Sequence, residues 1–338
     1  MVEGGRIFLL DKYRAGDFMG VIGVGGANGS SMPCALMRSL PLLFPKVMVS
    51  LVAATAAVQW FVAESDIVMF PSAGDLSINR ITRAVMENAA YSVATMAKAR
   101  AEKKDLDKEC PPLVGVSSFG GTAGCVDRVT DKLIACGYEV IHLHASGPGG
   151  RILESLAGLG ELAGVIDITT HEHTDLIVGG VYSAGEVRLR TAGEAALPQM
   201  VVPSATDHSN FWVGDVPDSF REREFFRYSP ENVLMRTNAE EFDALGRLVA
   251  ERLNDARGPF AVMIPLHGYS AHTKQKTCDF DGREMGSWYQ PETGRVFTAS
   301  LQKHLKKGRI EEFDLHVNDV EFADACVNAF LELMTEPG

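Results

Sequence analysis

One pattern constrains this chain more than any other. A short apolar run is followed by glycine or small polar residues, then by a stretch with helical spacing, and the unit recurs. Such runs lie at residues 20–24, 46–51, 66–70, 113–116, 139–143, 164–168, 199–202 and 260–264. They are continuous rather than alternating, which is how strands buried on both faces read. Between them, Ile81, Val85, Ala89, Val93 and Met96 recur at three- and four-residue steps within 78–104, and Val126, Val129 and Leu133 do so within 125–136. Further helices are expected at 239–253 and 318–334. Strands alternating with helices predict an α/β protein with parallel sheets joined by right-handed crossovers.

The charged stretch 101–112, AEKKDLDKECPP, ends in two prolines, and after it the strand–loop–helix pattern restarts. This predicts two domains, 1–105 and 106–338. Only about 20 residues precede the first glycine loop, fewer than the usual preceding units, so the first domain is expected to be truncated.

Charge and cysteine usage exclude several classes. The net charge is -12, and an acidic surface repels phosphate backbones, so no general nucleic-acid partner is expected. The six cysteines are scattered with no C-x-x-C pair, which fits reduced thiols and a cytoplasmic protein. Arg6, Asp11 and Lys12 interrupt any early apolar run, so a signal peptide is not expected. The uncharged segment 47–63 is 17 residues long and includes Ser50, Thr55 and Gln59. It is short of the ~20 apolar residues of a span, and is predicted to be a buried strand plus a helical or irregular piece.

Three glycine-rich loops follow predicted strands. The first runs from Gly23 through Gly25, Gly26 and Gly29 to Ser31. The second holds Ser117, Ser118, Gly120, Gly121, Thr122 and Gly124. The third holds His144, Ser146, Gly147, Gly149, Gly150 and Arg151. Glycine lets a backbone approach an anion closely, and the following helix start offers unpaired N–H groups and partial positive charge. None is a Walker A loop, because the terminal Lys-Ser/Thr is missing. The expectation is a small anionic ligand, with the loops at 117–124 and 144–151 cradling it and Arg151 as a clamp.

Seven of the nine histidines fall into segments that follow predicted strands. These include His142 and His144, then His171-Glu172-His173 with Asp175, then Asp207-His208, then His267 and His272. Imidazole with carboxylate suits a Zn, Mn or Fe site, and equally a general acid–base site. The H-x-H spacing predicts two side chains on one side of an extended segment. Candidate metal ligands are His144, Glu172, His173 and Asp207, and candidate catalytic residues are Glu172, Asp207, His208 and His267.

The segments VIGVGGANGSS, KVMVS, DIVMFPSAGDLSINRI, HASGPGG, DITTHEHTD, SATDHSNF, LMRTNAEEF and MIPLHGYS occur in that order. The string resembles the uncharacterised bacterial and fungal proteins related to the amino-terminal part of the tomato mosaic virus resistance protein. The resemblance implies an ATP-binding domain of two Rossmann-like halves, a nucleotide-type ligand and a homodimer; if the ligand is ATP, Glu172, Asp175 or Asp207 are expected to hold Mg²⁺ through water. Residues matching its motifs include Gly25, Gly26, Ser72, Asn79, Arg80, Gly120, Thr122, His144, Gly147, Gly149, Gly150, Glu172, Asp175, Asp207, Asn210 and Ser270. The leading expectation is therefore a nucleotide or small-anion binding protein, with hydrolytic activity open. The alternatives are a metal-dependent hydrolase of a small oxo or carboxylate compound and a non-catalytic interaction module.

Overall fold

A computed structural model describes residues 1–74, 77–103 and 110–335. The chain divides into two compact units, Met1–Cys110 and Pro111–Gly338.

In the first unit the elements are α1 (Val2–Arg14), β1 (Val21–Gly25), α2 (Ala27–Met37), β2 (Lys46–Ser50), α3 (Val58–Val62), β3 (Val68–Phe70) and α4 (Arg80–Lys103). The strands form one parallel sheet in the order β1-β2-β3. The uncharged segment 47–63 resolves into β2, a 3₁₀ turn at Leu51–Ala54 and α3. The turn starts there because the Ser50 hydroxyl accepts a hydrogen bond from the Val52 amide at 3.1 Å, a side-chain cap. No helix among the described residues is long and apolar enough to cross a membrane. Alternate residues of β2 face opposite ways: Met48 packs with Cys34 and Met37 of α2, and Val47 and Val49 pack with Ala89 of α4.

The second unit opens with β4 (Leu113–Ser118), α5 (Ala123–Ala135), β5 (Glu139–His144), α6 (Pro148–Leu159), β6 (Gly164–Thr169), α7 (Glu172–Val178), α8 (Thr191–Glu194) and β7 (Gln199–Ser204). It continues with β8 (His208–Trp212), β9 (Phe225–Arg227), β10 (Asn232–Arg236), α9 (Ala239–Asn254), β11 (Phe260–Pro265), β12 (Lys276–Cys278), β13 (Glu284–Ser287), α10 (Pro291–His304), β14 (Arg309–Phe313) and α11 (Val320–Thr335). Six strands form a parallel sheet in the order β14-β11-β7-β6-β4-β5.

Period-two alternation covers both faces of that sheet. Met200, Val202, Ala261 and Met263 join residues of α5 and α11, while Val201, Val262 and Ile264 join residues of α9 and α10. From β4 the chain goes outward to β5, then crosses back to β6 and continues the other way. This reversal makes the carboxyl ends of β4 and β6 a switch point, where open α/β sheets bind ligands.

The expectation of parallel sheets alone needs correction. A second sheet of five strands, β13-β12-β9-β10-β8, pairs antiparallel throughout. Its strands are three to five residues long, too short and too mixed in polarity for a periodic signal. The molecule is thus a mixed α/β protein.

Candidate functional site

The carboxyl edge of the six-stranded sheet gathers most of the residues singled out in the sequence. The third glycine loop turns sharply at Gly147, with φ +94°. A Cβ on Gly149 would lie 1.9 Å from the His144 carbonyl oxygen, so only glycine fits that turn. The loop's amides face inward: Gly147 and Gly150 N–H donate to Glu172 Oε1 at 2.7 and 3.2 Å. A carboxylate from α7 therefore sits at the amino end of α6, where an anion was expected.

Glu172 belongs to a buried charge cluster. Arg188 donates from Nε to Glu172 Oε2 at 2.7 Å and pairs bidentately with Asp167 at 2.6 and 2.7 Å. Glu154 lies 3.5 Å from Arg188 Nη1 and accepts from the Leu189 and Thr191 amides at 2.5 and 2.7 Å. Burial works against the Arg188 charge, but Asp167 and Glu172 more than offset it and raise its pKa well above the ordinary value. Burial raises the Glu172 carboxyl, opposed by Arg188 and the Gly147 amide.

The second loop is closed in the same way. The Asn318 side chain accepts from the Cys125 amide at 3.1 Å and donates to the Gly121 carbonyl at 3.0 Å, capping the start of α5. The Thr122 hydroxyl is bonded to Thr169 at 2.7 Å. Ser118 is half-buried and Gly120 is exposed. The Ser146 hydroxyl donates to the His144 carbonyl at 3.4 Å, and Arg151 Nη1 donates to the Ser183 carbonyl at 3.4 Å.

The histidines do not lie on an extended segment, which corrects the H-x-H expectation. Glu172 and Asp175 occupy the first turn of α7, with His171 as its N-cap residue. Acidic residues favour a helix start, and the helical turn sends His171 and His173 to different surroundings. His171 is fully buried against the Phe119 ring at 4.3 Å and stacks on His208 at 5.7 Å. Neither of its ring nitrogens has a partner among the described residues. His173 Nδ1 lies 2.9 Å from the Thr170 carbonyl oxygen. Burial lowers the pKa of both well below the ordinary histidine value, so both are neutral imidazoles.

Asp207 is the second buried carboxylate. Oδ2 accepts from Ser270 Oγ at 2.8 Å and from Trp288 Nε1 at 2.7 Å, and Oδ1 lies 3.2 Å from His208 Nδ1. Burial would raise its pKa, but His208, Arg236 and the Trp288 indole together hold it below the ordinary range. His272, packed on His208 at 5.6 Å, is lowered to about 4 by burial and by His208. His267 stands apart from this group, exposed and paired with Asp314 at 2.7 Å. Of the expected metal ligands, His144 is exposed, His173 is turned to a backbone carbonyl, and Glu172 and Asp207 are engaged as described. Among the described residues no group of three His, Cys, Asp or Glu side chains is placed to hold a metal ion.

The first unit presents an open edge. Gly25 ends β1, and a Cβ there would lie 2.6 Å from the Gly29 carbonyl carbon. Gly26 is the N-cap of α2 and supplies no side-chain cap, and no acidic residue lies in the first turn. A cleft of about 420 Å³ lies against this loop, lined by Val24, Gly25, Gly26, Ser72, Ser77, Ile78, Thr82, Arg83 and Met86 among others. Asn79 caps the start of α4, its Oδ1 accepting from the Ile81 and Thr82 amides at 2.9 and 3.1 Å. The Arg83 guanidinium makes no ion pair with a described residue.

The N-terminal domain of the uncharacterised protein family UPF0261 matches residues 1–102, and its C-terminal domain matches residues 111–334. The chain belongs to the UPF0261 family. A UPF0261 protein of Rhizobium meliloti is 38% identical over 322 residues, covering 94% of this chain and 77% of that protein. One from Clostridium tetani is 35% identical over 338 residues, with 99% and 80% covered. The ToMV resistance protein Tm-1(GCR237) of Solanum lycopersicum is 36% identical over 321 residues, covering 93% of this chain but 41% of that protein. UPF0261 relatives thus include plant as well as bacterial proteins.

Sequence reasoning missed Arg188, Asp167, Glu154, Arg236 and Trp288. Asp167 and Arg236 stand within the segments DITTHEHTD and LMRTNAEEF, but nothing local gives their roles, because the side-chain partners that define the cluster lie far along the chain, as Arg188 and Glu172 are 16 positions apart and Asp207 and Trp288 are 81. Glu172 was singled out for the wrong kind of feature, a histidine-rich segment, while its partners are an arginine and two glycine amides.

Proposed function

We propose that this UPF0261 chain binds a nucleotide-type ligand in the first unit, with the phosphate end at Gly25–Gly26 and the amino end of α2. The carrying observation is the open cleft of about 420 Å³ beside a helix start that has no side-chain cap. In the second unit both glycine-loop helix starts are capped from within, by Glu172 and by Asn318. Backbone amides and a helix dipole attract an anion only where nothing already occupies them. Val24, Ile78 and Met86 offer an apolar wall to a flat ring, and Arg83 offers a cation to the charged end. The relation to a ToMV resistance protein is compatible with this reading and does not carry it.

Calorimetric titration with ATP and ADP, with and without Mg²⁺, tests it. Saturable binding is expected, abolished in Gly25→Val because a side chain there meets the Gly29 backbone. Arg83→Gln should weaken binding by about tenfold, the size of one charge-assisted contact. Arg151→Gln should leave it unchanged. No heat at about millimolar nucleotide, or loss through Arg151→Gln alone, rejects the reading.

A further inference from the structure

Four neighbouring strands of the six-stranded sheet, β11, β7, β6 and β4, send side chains to one place beyond their carboxyl ends. Phe119 follows β4, His171 follows β6, Asp207 follows β7 with His208 opening β8, and Ser270 and His272 follow β11. His208 is the hub. Its ring centroid lies 5.7 Å from His171, 5.6 Å from His272 and 6.3 Å from Phe119. Phe226 and Tyr228 pack on His272 at 5.2 and 5.9 Å, and Tyr182 packs on Phe119 at 6.1 Å. Phe119, Tyr182 and Phe226 are half-buried and Tyr228 is exposed, so these rings lead from the surface to the buried imidazoles.

Asp207 fixes which nitrogen of His208 carries the proton. Its Oδ2 is taken by the Ser270 hydroxyl and the Trp288 indole, and its Oδ1 lies 3.2 Å from His208 Nδ1. An ionised carboxylate only accepts, so Nδ1 carries the hydrogen and Nε2 keeps a bare lone pair. That Nε2 is buried and has no partner among the described residues. His171 is its complement, a neutral ring with neither nitrogen partnered, which therefore carries one unused N–H. Buried polar groups left unpaired work against folding, and they gather where a ligand completes them. The two rings together call for a guest that gives hydrogen to His208 and offers an acceptor oxygen to His171. The neighbouring cations are committed elsewhere. Arg188 is spent on Asp167 and Glu172, and Arg236 on the Trp288, Asp207 and Thr237 carbonyls and the Thr293 hydroxyl. With the Asp207 charge beside it, the place suits an uncharged guest rather than an anion.

We propose that His208 is a catalytic general base, positioned by Asp207, that takes a proton from the carbon beside the carbonyl of a small uncharged ketone. The α C–H bond breaks and its proton passes to His208 Nε2. The C–H electron pair forms the new C=C bond, and the carbonyl π pair moves onto oxygen, to which the His171 N–H donates. The imidazolium that forms is held against the Asp207 carboxylate. Return of the proton to carbon or to the enolate oxygen cancels both charges, so no oxidant or co-reactant is consumed. The Ser270 hydroxyl is spent on Asp207 and does not serve as a nucleophile, which sets this site apart from acyl transfer. The Phe119, Tyr182 and Phe226 rings favour a flat apolar body on the substrate. This assignment stands apart from the nucleotide reading.

Two measurements on the full chain test it. Nitrogen-15 NMR reads the His208 tautomer with no substrate present. The Nδ1–H form is expected in the wild type, and Asp207→Asn should move the ring toward the Nε2–H form. Incubation with acetophenone and with phenylacetone in D₂O, without nucleotide, reads the chemistry as loss of the α-proton signal. At least one ketone should exchange about a hundredfold faster than with the same concentration of free imidazole, a comparison that needs no variant. His208→Gln should lose that acceleration, and His171→Phe should lower it by about tenfold, the size of one hydrogen bond to the developing oxyanion. An Nε2–H tautomer in the wild type overturns the proposal. So does a tautomer unchanged in Asp207→Asn, exchange of neither ketone above the imidazole control, or exchange that survives His208→Gln.

Discussion

Arg188 shows what one buried residue decides. It stands among Asp167, Glu172 and Glu154, and the surplus negative charge is tolerable only because backbone amides from two glycine positions and from the start of α8 also point at those carboxylates. Asp175 has no such cation. It accepts from the Asn210 and Tyr182 amides at 2.7 and 3.0 Å, yet burial pushes its pKa up to about 7, with the Glu172 charge adding to the rise. In the unfolded chain the same carboxyl titrates near the ordinary aspartate value. Between these two values the folded state keeps a proton that the unfolded state has released, so this group's contribution is present at low pH and lost as pH rises through about 7. Urea denaturation of wild type and Asp175→Asn should therefore diverge with pH. The wild type should lose ground to the variant by up to about 1.4 kcal/mol per pH unit across the window. A difference between the two that does not change with pH counts against the assignment.

At the scale of elements, all but one of the parallel strands were legible because apolar runs buried on both faces leave a continuous signature, as at Val47–Val49 and Ile264; the exception is edge strand β14, whose RIEEF sequence is charged and only partly buried. The five-stranded antiparallel sheet was not, because strands such as β9 and β12 are held by pairing with distant partners rather than by their own pattern. Helix α9 was legible at its start as well as along its length. Asn238 Oδ1 accepts from the Glu241 amide at 2.9 Å, and the Glu241 side chain returns to the Asn238 amide at 2.9 Å, a reciprocal cap encoded within four residues. Asn238→Ala should cost about 1 kcal/mol in chemical denaturation, with the slope against denaturant unchanged. An unaltered midpoint would mean that packing of Phe242 and Leu245 alone holds the helix.

For the whole molecule, each of the two units has its own core. The second has separate clusters on the two faces of its six-stranded sheet and a third, around Phe211 and Phe225, on the antiparallel sheet. Residues 111–338 expressed alone should therefore fold, giving one cooperative thermal transition and retained near-ultraviolet circular dichroism. A fragment lacking fixed aromatic signals would show that the unit needs the first one to order it.

The chain order alone determined the α/β class, the strands of the parallel sheets other than β14, and the places where glycine loops meet helix starts, because each of these is written in residues close together. Which loops stay open was decided only by the tertiary structure. Glu172 reaches the amides of a loop more than twenty positions earlier, and Asn318 reaches a helix nearly two hundred positions earlier. Long-range side chains of that kind leave no local pattern. Whether a helix start receives an outside anion depends on whether an inside one has already arrived.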